Sequence, residues 1–409
     1  MKKAWILNHY ASEPSMSGGT RHFNLAKCLK QHDWDVTLIV SSVIHNKNIQ
    51  RLNTKEKRRI ETFEGVSYLW LKTSLYTGNG INRIKNMLEY SWAVLKKRNI
   101  SLLDKPDIII GSSVHPFAVL SAYILAKRYK VSFIFEVRDL WPQTLIDMKL
   151  IKKNGLFAKM MRQMESFLYK KADRIVTLLP YAHEYIESMG VEQYKIVYIP
   201  NGANTEDFNC IPISHLNDIF TLMYMGALGE ANDIQTTLYA AKILQSKNIS
   251  KKLHFRLIGD GPLKQNLIDL SAKLGLDESY VSFENSIPKA EVPKKLRETD
   301  ACIITLKNLP VFKYGLSPNK LFDYMAAEKP IIITSNDEGN PVKEAQCGIT
   351  SLPEDPDDLA NNILKLLSLS NDELLNMGRN GRNYLEQNHD YKVLAERLAG
   401  TMNDLVKEN

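Results

Sequence analysis

The order of apolar and polar positions along the chain predicts buried strands that alternate with amphipathic helices. In the first half, short runs rich in Ile, Val and Phe occur at residues 4–10, 36–42, 108–113, 132–137 and 174–179. Such runs are typical of buried strands, and the segment TRHFNLAKCLKQH (20–32) between the first two has helical periodicity. The second half repeats the scheme, with strands predicted at 219–226, 253–259, 280–285, 301–306 and 329–334.

This alternation predicts an α/β chain with two Rossmann-like, doubly wound domains facing each other across a cleft, because parallel strands need crossover helices. A length of 409 residues also suits two cores rather than one. We place the domains at 1–200 and 201–385, since Pro200, Asn201 and Gly202 mark a turn between the two series. Residues 386–409 are expected to form a C-terminal helix that crosses back to the first domain.

Composition narrows the class of protein. Apolar residues make up 44% and charged residues 24% of the chain, as in ordinary globular proteins. The cysteines form no CxxC pair, which argues against a disulfide framework or a zinc site and suits the cytoplasm; they are Cys28, Cys210, Cys302 and Cys347. The N-terminal apolar run is too short for a signal peptide, and no stretch of about 18 apolar residues predicts a membrane span.

Charge is distributed unevenly between the two halves. Residues 1–200 hold 31 Lys and Arg against 17 Asp and Glu, a net charge of +14, and residues 201–409 have a net charge of −7. The basic half could meet nucleic acid or an anionic membrane surface. Its basic residues show no interleaved aromatic residues on a strand, so nucleic acid is the weaker hypothesis and we expect no nucleic-acid partner.

Candidate functional residues in the first half follow the predicted strands, where ligands of such sheets bind. Gly18 and Gly19 lie at the start of a predicted helix, where backbone amides without neighbouring side chains can approach a phosphate. The alternative is a flexible loop. Arg138 and Asp139 follow a strand directly, and the alternative is a structural ion pair. His115 is a candidate for acceptor binding, although a lone histidine is more often structural.

Two further segments of the second half carry candidate chemistry. The glycines after its first two strands would let backbone pass close to a ligand; they are Gly226, Gly229, Gly259 and Gly261. The acidic stretch EDPDDL (354–359) has the spacing of a metal-binding Asp-x-Asp pair. We favour a helix cap at Asp355 or Asp357, because Pro356 begins a helical pattern there.

The segment GLSPNKLFDYMAAEKPII (315–332) predicts a binding site for a nucleotide diphosphate. A turn at 317–319 would start a helix whose free amides and Lys320 ammonium face an anion. Asp323 would lie one turn further on the same face, where a carboxylate suits ribose hydroxyls. The alternative is a surface helix with an i,i+3 ion pair.

These segments together resemble the GT-B glycosyltransferases of family 4, in the WbuB-like branch that builds bacterial O-antigen and capsule. The resemblance covers nearly the whole chain and rests on SGGTRHFNLA, FEVRDLWPQT, VYIPNGAN, YMGALGEAND, IGDGP and GLSPNKLFDYMAAEKPII, in that order. It implies a retaining transferase that needs no metal or other cofactor, with a UDP-sugar donor on the C-terminal domain. The implied acceptor, a polyprenyl-diphosphate-linked glycan, would bind the N-terminal domain.

The resemblance also implies roles for individual residues. Asp323 matches a glutamate that binds ribose, Lys320 and the amides near Leu316 and Ser317 would hold the diphosphate, and Arg138 and Asp139 match a His-Asp pair beside the transferred sugar. The expected catalytic set is therefore Arg138, Asp139 and Lys320. The expected donor-binding set is Gly18, Gly19, Gly229, Glu230, Leu316, Ser317, Pro318, Asn319, Lys320 and Asp323.

The chain departs from the family pattern at three places. Gly315 stands where relatives have the motif's first glutamate, and Ala227 and Glu230 stand near an Arg and a Lys that grip the diphosphate. More of the charge neutralisation should therefore fall on Lys320 and on backbone amides. A UDP-sugar 2-epimerase of similar architecture, a phosphorylase with pyridoxal phosphate, and a non-enzymatic basic binding protein remain alternatives.

The basic half is expected to hold the protein on the inner face of the plasma membrane. In the segment 80–100, six residues fall near one helical face, namely Ile84, Met87, Leu88, Ser91, Trp92 and Leu95. Basic residues flank this face, namely Arg83, Lys85, Lys96, Lys97 and Arg98, and segment 155–171 has a similar character. The alternative is that both helices simply pack their apolar faces on the N-terminal sheet.

Overall fold

The computed structural model divides the chain into two compact units. The first consists of Met1–Pro200 and Tyr391–Asn409, and the second of Asn201–Asp390. The structure describes residues 1–16, 19–44, 49–76, 78, 80–113, 115–208, 219–247, 249, 251–337 and 339–407. Gly18 and Cys210, singled out above, lie outside the described residues. Each unit is a Rossmann-like α/β structure, which confirms the prediction of two Rossmann-like domains.

The first unit contains ten strands and eight α-helices in its described part. The strands are β1 (Lys2–Leu7), β2 (Trp34–Ser41), β3 (Val43–Ile44), β4 (Ile49–Gln50), β5 (Arg58–Phe63), β6 (Val66–Leu71), β7 (Ile108–Ser112), β8 (Ser132–Val137), β9 (Arg174–Thr177) and β10 (Ile196–Tyr198). The helices are α1 (Arg21–Leu29), α2 (Ile81–Leu95), α3 (Lys97–Ile100), α4 (Pro116–Tyr129), α5 (Gln143–Asp147), α6 (Leu156–Lys171), α7 (Ala182–Glu187) and α15 (Tyr391–Lys407).

Eight of these strands form one sheet in the order β10-β9-β8-β7-β1-β2-β6-β5, and β3 pairs with β4 separately. The sheet is parallel except for β5, which runs antiparallel to β6 at the edge. Ile6 of β1 is in register with Leu38 of β2 on one side and with Ile110 of β7 on the other. The strand order reverses between β1 and β7, so the loops after these two strands flank the crevice where such sheets bind ligands.

The second unit contains six strands and seven α-helices in its described part. The strands are β11 (Ile219–Met225), β12 (Lys252–Ile258), β13 (Val281–Glu284), β14 (Ala301–Ile304), β15 (Ile331–Thr334) and β16 (Gly348–Ser351). The helices are α8 (Ile234–Gln245), α9 (Lys264–Lys273), α10 (Val292–Leu296), α11 (Asn319–Ala326), α12 (Pro341–Glu344), α13 (Pro356–Ser368) and α14 (Asn371–Asn388).

The second sheet is parallel throughout, in the order β13-β12-β11-β14-β15-β16. Buried apolar clusters cover both faces of this sheet. Because successive side chains of a strand point to opposite faces, neighbouring residues of one strand belong to different clusters. Ile332 belongs to one buried apolar cluster, and Ile331 and Ile333 belong to the other. The strand order reverses between β11 and β14, so a ligand crevice is expected at the loops that follow these strands.

Helix α15 packs on α1 in the first unit, and its buried residues follow the 3.6-residue period; they are Tyr391, Leu394, Ala395, Leu398, Ala399, Met402 and Leu405. The second unit ends later than residue 385, because α14 continues to Asn388. Ser370 caps the N-terminus of α14 and forms a capping box with Glu373. None of the described helices is long and apolar enough to cross a membrane.

Candidate active site

The turn before α11 adopts its shape for reasons visible in the sequence. Gly315 has a φ of 98°, a left-handed conformation that glycine adopts without strain, and it ends a 3₁₀ turn over Pro310–Tyr314. The Asn201 backbone N–H donates to Ser317 Oγ at 3.0 Å, and its Nδ2 donates to the Ser317 carbonyl oxygen at 2.7 Å. No described side chain caps the N-terminus of α11. This helix end therefore keeps the partial positive charge that favours an anion.

Lys320 lies at the switch point of the second sheet. Its Nζ donates to Tyr224 Oη at 2.7 Å and to Asn232 Oδ1 at 2.8 Å, and it lies 4.2 Å from the centre of the Tyr224 ring. Tyr224 Oη in turn donates to the Ala227 carbonyl oxygen. The sequence did not single out Tyr224 and Asn232, although both belong to the strand and loop that it identified.

Among the described residues, the Lys320 ammonium has only neutral hydrogen-bond partners, and none of them is a carboxylate. Burial lowers the pKa of Lys320 to about 7. A lysine held in this way lacks a counter-charge. An anion at this position would supply the charge and favour the protonated form.

Glycines that follow β11 and β12 allow close packing beside Lys320. A Cβ at Gly226 would lie 2.8 Å from Lys320 Cε. A Cβ at Gly259 would lie 1.8 Å from the Gly226 carbonyl oxygen, and one at Gly261 would lie 2.2 Å from the Leu228 carbonyl oxygen. These glycines therefore allow close contacts inside the protein, and the prediction that they also bring backbone close to a ligand stays a prediction.

Asp323 lies one helical turn after Lys320 and is nearly buried, but the two side chains form no ion pair with each other. Lys289 Nζ lies 2.6 Å from both carboxylate oxygens of Asp323. Burial raises the pKa of Asp323, and Lys289 opposes that shift. The alternative of a surface i,i+3 pair is therefore wrong. No local sequence pattern indicated Lys289 as a partner of Asp323, because it follows β13 and lies 34 residues before Asp323.

The other predicted donor-binding residues lie around the same loops. Leu316 is buried in an apolar cluster, Ser317 and Pro318 are partly exposed, and Asn319 is exposed. A Cβ at Gly229 would have no neighbouring heavy atom of the described residues within 4 Å. Glu230 is exposed and its carboxylate pairs with Lys307 Nζ at 2.7 Å, so it neutralises a lysine.

In the first unit, three sequence motifs meet in one buried network. Arg21 Nε donates to Glu136 Oε1 at 3.0 Å, and His22 Nε2 lies 2.6 Å from Glu136 Oε2. Arg21 also donates to the carbonyl oxygens of Ile199 and Pro200. Burial alone would raise the pKa of Glu136, but His22 and Arg21 hold it well below its usual range. Each of the three motifs is visible in the sequence, but no local pattern indicates that their side chains meet.

The network positions the loops that carry the predicted site residues. Arg138 follows β8 two residues after Glu136, and its backbone N–H donates to Ser113 Oγ at 3.1 Å. An Arg138 guanidinium nitrogen would lie 3.8 Å from a Cβ at Gly19, so these two predicted residues are neighbours. Arg138 is partly exposed and Asp139 is exposed, and no salt bridge joins these two described side chains. The structure therefore shows no salt bridge between Arg138 and Asp139, in contrast to the alternative of a structural ion pair.

His115 is not available to an acceptor. It is fully buried and caps α4, where its Nδ1 accepts a hydrogen bond from the Ala118 backbone N–H. Its Nε2 lies 2.6 Å from His9 Nδ1. Burial lowers the pKa of His115 to about 3, so the histidine is neutral and structural, which corrects the prediction of acceptor binding.

The acidic stretch 354–359 is a helix start. Asp355 caps α13, since its Oδ1 accepts from the Asp358 backbone N–H at 2.9 Å. Asp358 in turn accepts hydrogen bonds from Leu352 and Asn362. No group of three or more metal-ligating side chains occurs among the described residues.

Comparison with known families matches both halves of the chain. Residues 18–202 match the family model described as a Glycosyl transferase 4-like domain, and residues 219–369 match the one described as Glycosyl transferases group 1. A relative in Pseudomonas aeruginosa, the probable glycosyltransferase WbjE, is 26% identical over 318 residues, which cover 74% of this chain and 76% of that protein.

Solved structures share the fold over the whole chain. Sucrose-phosphate synthase from Thermosynechococcus elongatus superposes with a TM-score of 0.77 at 14% identity, covering 100% of both chains. HepE of Anabaena, in complex with UDP and glucose, superposes with a TM-score of 0.68 at 14% identity, covering 99% of this chain and 100% of the other. At these identities the likeness concerns the fold alone.

Proposed function

The chain is a glycosyltransferase with the GT-B fold, and from this premise we propose that it moves a sugar from a UDP-sugar to a lipid-linked glycan. The proposed setting is the synthesis of surface polysaccharide, O-antigen or capsule, in the WbuB-like branch. An N-acetylated amino sugar is the first donor to test. The observation that carries the donor proposal is Lys320, an ammonium with neutral partners beside the uncapped N-terminus of α11.

The proposed catalysis rests on charge. Breaking the bond between the sugar C1 and the diphosphate leaves negative charge on the departing phosphate, and preorganised donors aimed at that charge lower the barrier most. Lys320 and the first-turn amides of α11 would serve as those donors, without a metal ion. Asp323 would accept hydrogen bonds from the ribose, and Arg138 and Asp139 would contact the transferred sugar.

The anomeric configuration is proposed to be retained. The acceptor hydroxyl would attack C1 on the same face from which the diphosphate departs. The departing phosphate oxygen would take the hydroxyl proton, so no side chain has to act as nucleophile. NMR of the product's anomeric proton tests this step, and an inverted product would refute it.

The donor is tested by thermal shift and by product release. A ligand that binds only the folded state raises the melting temperature, so UDP and the correct UDP-sugar should do so and GDP should not. UDP should be released only when the acceptor glycan is also present, and treatment with EDTA should leave turnover unchanged. Release of UDP without any acceptor would favour a 2-epimerase-like reaction, and loss of activity in EDTA would refute the metal-free mechanism.

We propose that α2 and α6 hold the enzyme on an anionic membrane that contains the acceptor. Exposed apolar side chains follow one stripe of α2, namely Ile81, Ile84, Leu88 and Trp92, and one stripe of α6, namely Leu156, Met160 and Phe167. Ile81 and Leu156 are each 84% exposed. Both helices pack on α4. Met87 and Ser91, by contrast, face inward, so the exposed stripe of α2 is narrower than its sequence suggested.

Charge supports a membrane as the partner of this surface. Lys96, Lys97 and Arg98 are exposed directly after α2, and Lys170 and Lys171 are exposed at the end of α6. Apolar burial combined with attraction of Lys and Arg to anionic lipid is the usual means by which amphipathic helices adhere. Each well-placed basic residue contributes about 1 kcal/mol.

Co-sedimentation with vesicles tests the surface. Binding should rise with the phosphatidylserine content, fall with salt, and drop when Lys96, Lys97 and Arg98 are changed to Glu. A matched control reverses three exposed lysines of the second unit, Lys242, Lys273 and Lys294, and should bind as the wild type does. Equal losses in both triple variants, or binding that ignores lipid charge, would refute a specific membrane surface.

A further inference from the structure

We propose that Lys289 is a second cation for the donor diphosphate, and that it rests on Asp323 until the nucleotide binds. The inference depends on the proposed function, since it concerns the same UDP-sugar site. It names a source of positive charge beyond Lys320, since residues 226–233 after β11 contain no Lys or Arg.

The geometry of the pair suggests this exchange. Lys289 Nζ is 2.6 Å from each oxygen of Asp323, so the ammonium sits between the two oxygens on the open side of the carboxylate. A ribose diol that donates one hydrogen bond to each oxygen would approach from the same side. The nucleotide therefore has to displace the ammonium before Asp323 can bind ribose.

The two partners differ in accessibility. The Lys289 side chain is 29% exposed, whereas the Asp323 side chain is 10% exposed. Lys289 stands in a 3₁₀ turn, Lys289–Glu291, between β13 and α10, and its four-carbon stem is flexible. Asp323 is fixed on α11 within a buried helix face. The lysine is thus the partner that can move.

Once displaced from Asp323, the Lys289 ammonium can move towards the diphosphate beside Lys320, which lies one helical turn away on α11. Lys320 and Asp323 are related by i,i+3 on α11, which places their Cβ atoms about 5–6 Å apart. Lys289 and Lys320 therefore flank one short stretch of α11, and Asp323 is the carboxylate between them. Once ribose hydroxyls satisfy Asp323, two ammonium groups and the N-terminus of α11 face the diphosphate. The arrangement matches an anion that carries at least two negative charges.

Comparing UDP with uridine tests the proposal, because only UDP carries the diphosphate. Lys289→Met should weaken UDP binding by about tenfold or more, the scale of one hydrogen bond to a charged group, and change uridine binding by less than about threefold. Lys289→Arg should restore most of the affinity for UDP. Affinities are measured by calorimetry on the full chain, and melting temperatures report whether each variant folds.

The Asp323→Asn background separates a direct contact from an effect through Asp323. Lys289 has no carboxylate to hold there, so Lys289→Met should still weaken UDP binding by about tenfold if the ammonium contacts phosphate. The neutral amide also leaves no buried carboxylate unpaired in the double variant, which protects folding. A second substitution with no effect in this background would mean that Lys289 acts only by keeping Asp323 charged, and would overturn the proposal.

The remaining outcomes are also decisive. Equal losses of UDP and uridine binding in Lys289→Met, or tighter UDP binding, would refute Lys289 as a phosphate ligand while the donor assignment stands. A wild-type protein that binds neither UDP nor a UDP-sugar would refute the proposed function itself, and the inference with it.

Discussion

Removing the charge of Lys320 should abolish a pH dependence of UDP binding that the wild type shows. Partial burial lowers the pKa of ligand-free Lys320 to about 7, and its polar partners are neutral groups. A bound diphosphate favours the protonated amine, so the pKa in the complex is expected to lie well above that value. Binding then takes up a proton, and affinity must fall as the pH rises above about 7. Tyr224 does not interfere, since burial raises its pKa and keeps it neutral.

The magnitude follows from the fraction of protonated lysine in the free protein. With a pKa of about 7, roughly half of Lys320 is protonated at pH 7 and roughly 1% at pH 9. The affinity for UDP should therefore fall about fiftyfold over this range, which corresponds to about 2.3 kcal/mol. A phosphate group has its second pKa near 6, so UDP itself changes charge little over the same interval.

Isothermal titration calorimetry between pH 7 and pH 9 measures this effect. Titrations at pH 8 in two buffers of different ionisation enthalpy should show the uptake of about 0.9 proton. Lys320→Met should bind UDP weakly at every pH, with no proton uptake, whereas Lys242→Met, at an exposed lysine of α8, should behave as the wild type does. A wild-type affinity that changes less than threefold, or an unchanged slope in Lys320→Met, would refute the reasoning.

Three further predictions follow from contacts described above. Lys320→Ala should lower turnover about a hundredfold, the scale of one lost donor to developing charge; near-normal steady-state kinetics would exclude the assigned role. Glu136→Ala should cost about 3–5 kcal/mol, because it leaves the buried Arg21 guanidinium without its carboxylate, and should lower the melting temperature by roughly 10 °C. By contrast, Arg138→Ala should lower turnover while leaving the melting temperature and UDP binding nearly unchanged. Asp355→Ala should cost about 1 kcal/mol through the lost cap and Asp357→Ala almost nothing; equal melting temperatures for these two variants would contradict the cap assignment.

The sequence determined the framework of this protein because the framework depends on local periodicity. The long apolar runs predicted β1, β2, β7, β8 and β9 of the first unit, and β11 to β15 of the second. The sequence missed six of the described strands. Of these, β10 and β16 are short edge strands, β5 is an edge strand that is only partly buried, and β3 and β4 have two residues each. The sixth, β6, is six residues long and mostly buried, so neither reason explains why it was missed. Since a doubly wound sheet binds ligands at strand ends, the sequence also indicated the loops that form the candidate site.

The partners of the site residues depended on the tertiary structure. Lys289 meets Asp323 across 34 residues, Asn232 meets Lys320 across 88, and Glu136 meets Arg21 across 115. No local pattern encodes these distances, because each pair forms only when separate strands have taken their places in a sheet. The same holds for His115, which follows a strand as a catalytic residue would, yet is fully buried against His9. Periodicity places a residue on an element and at a strand end, but the packing of the other elements decides whether its charge faces solvent, a buried partner or a ligand.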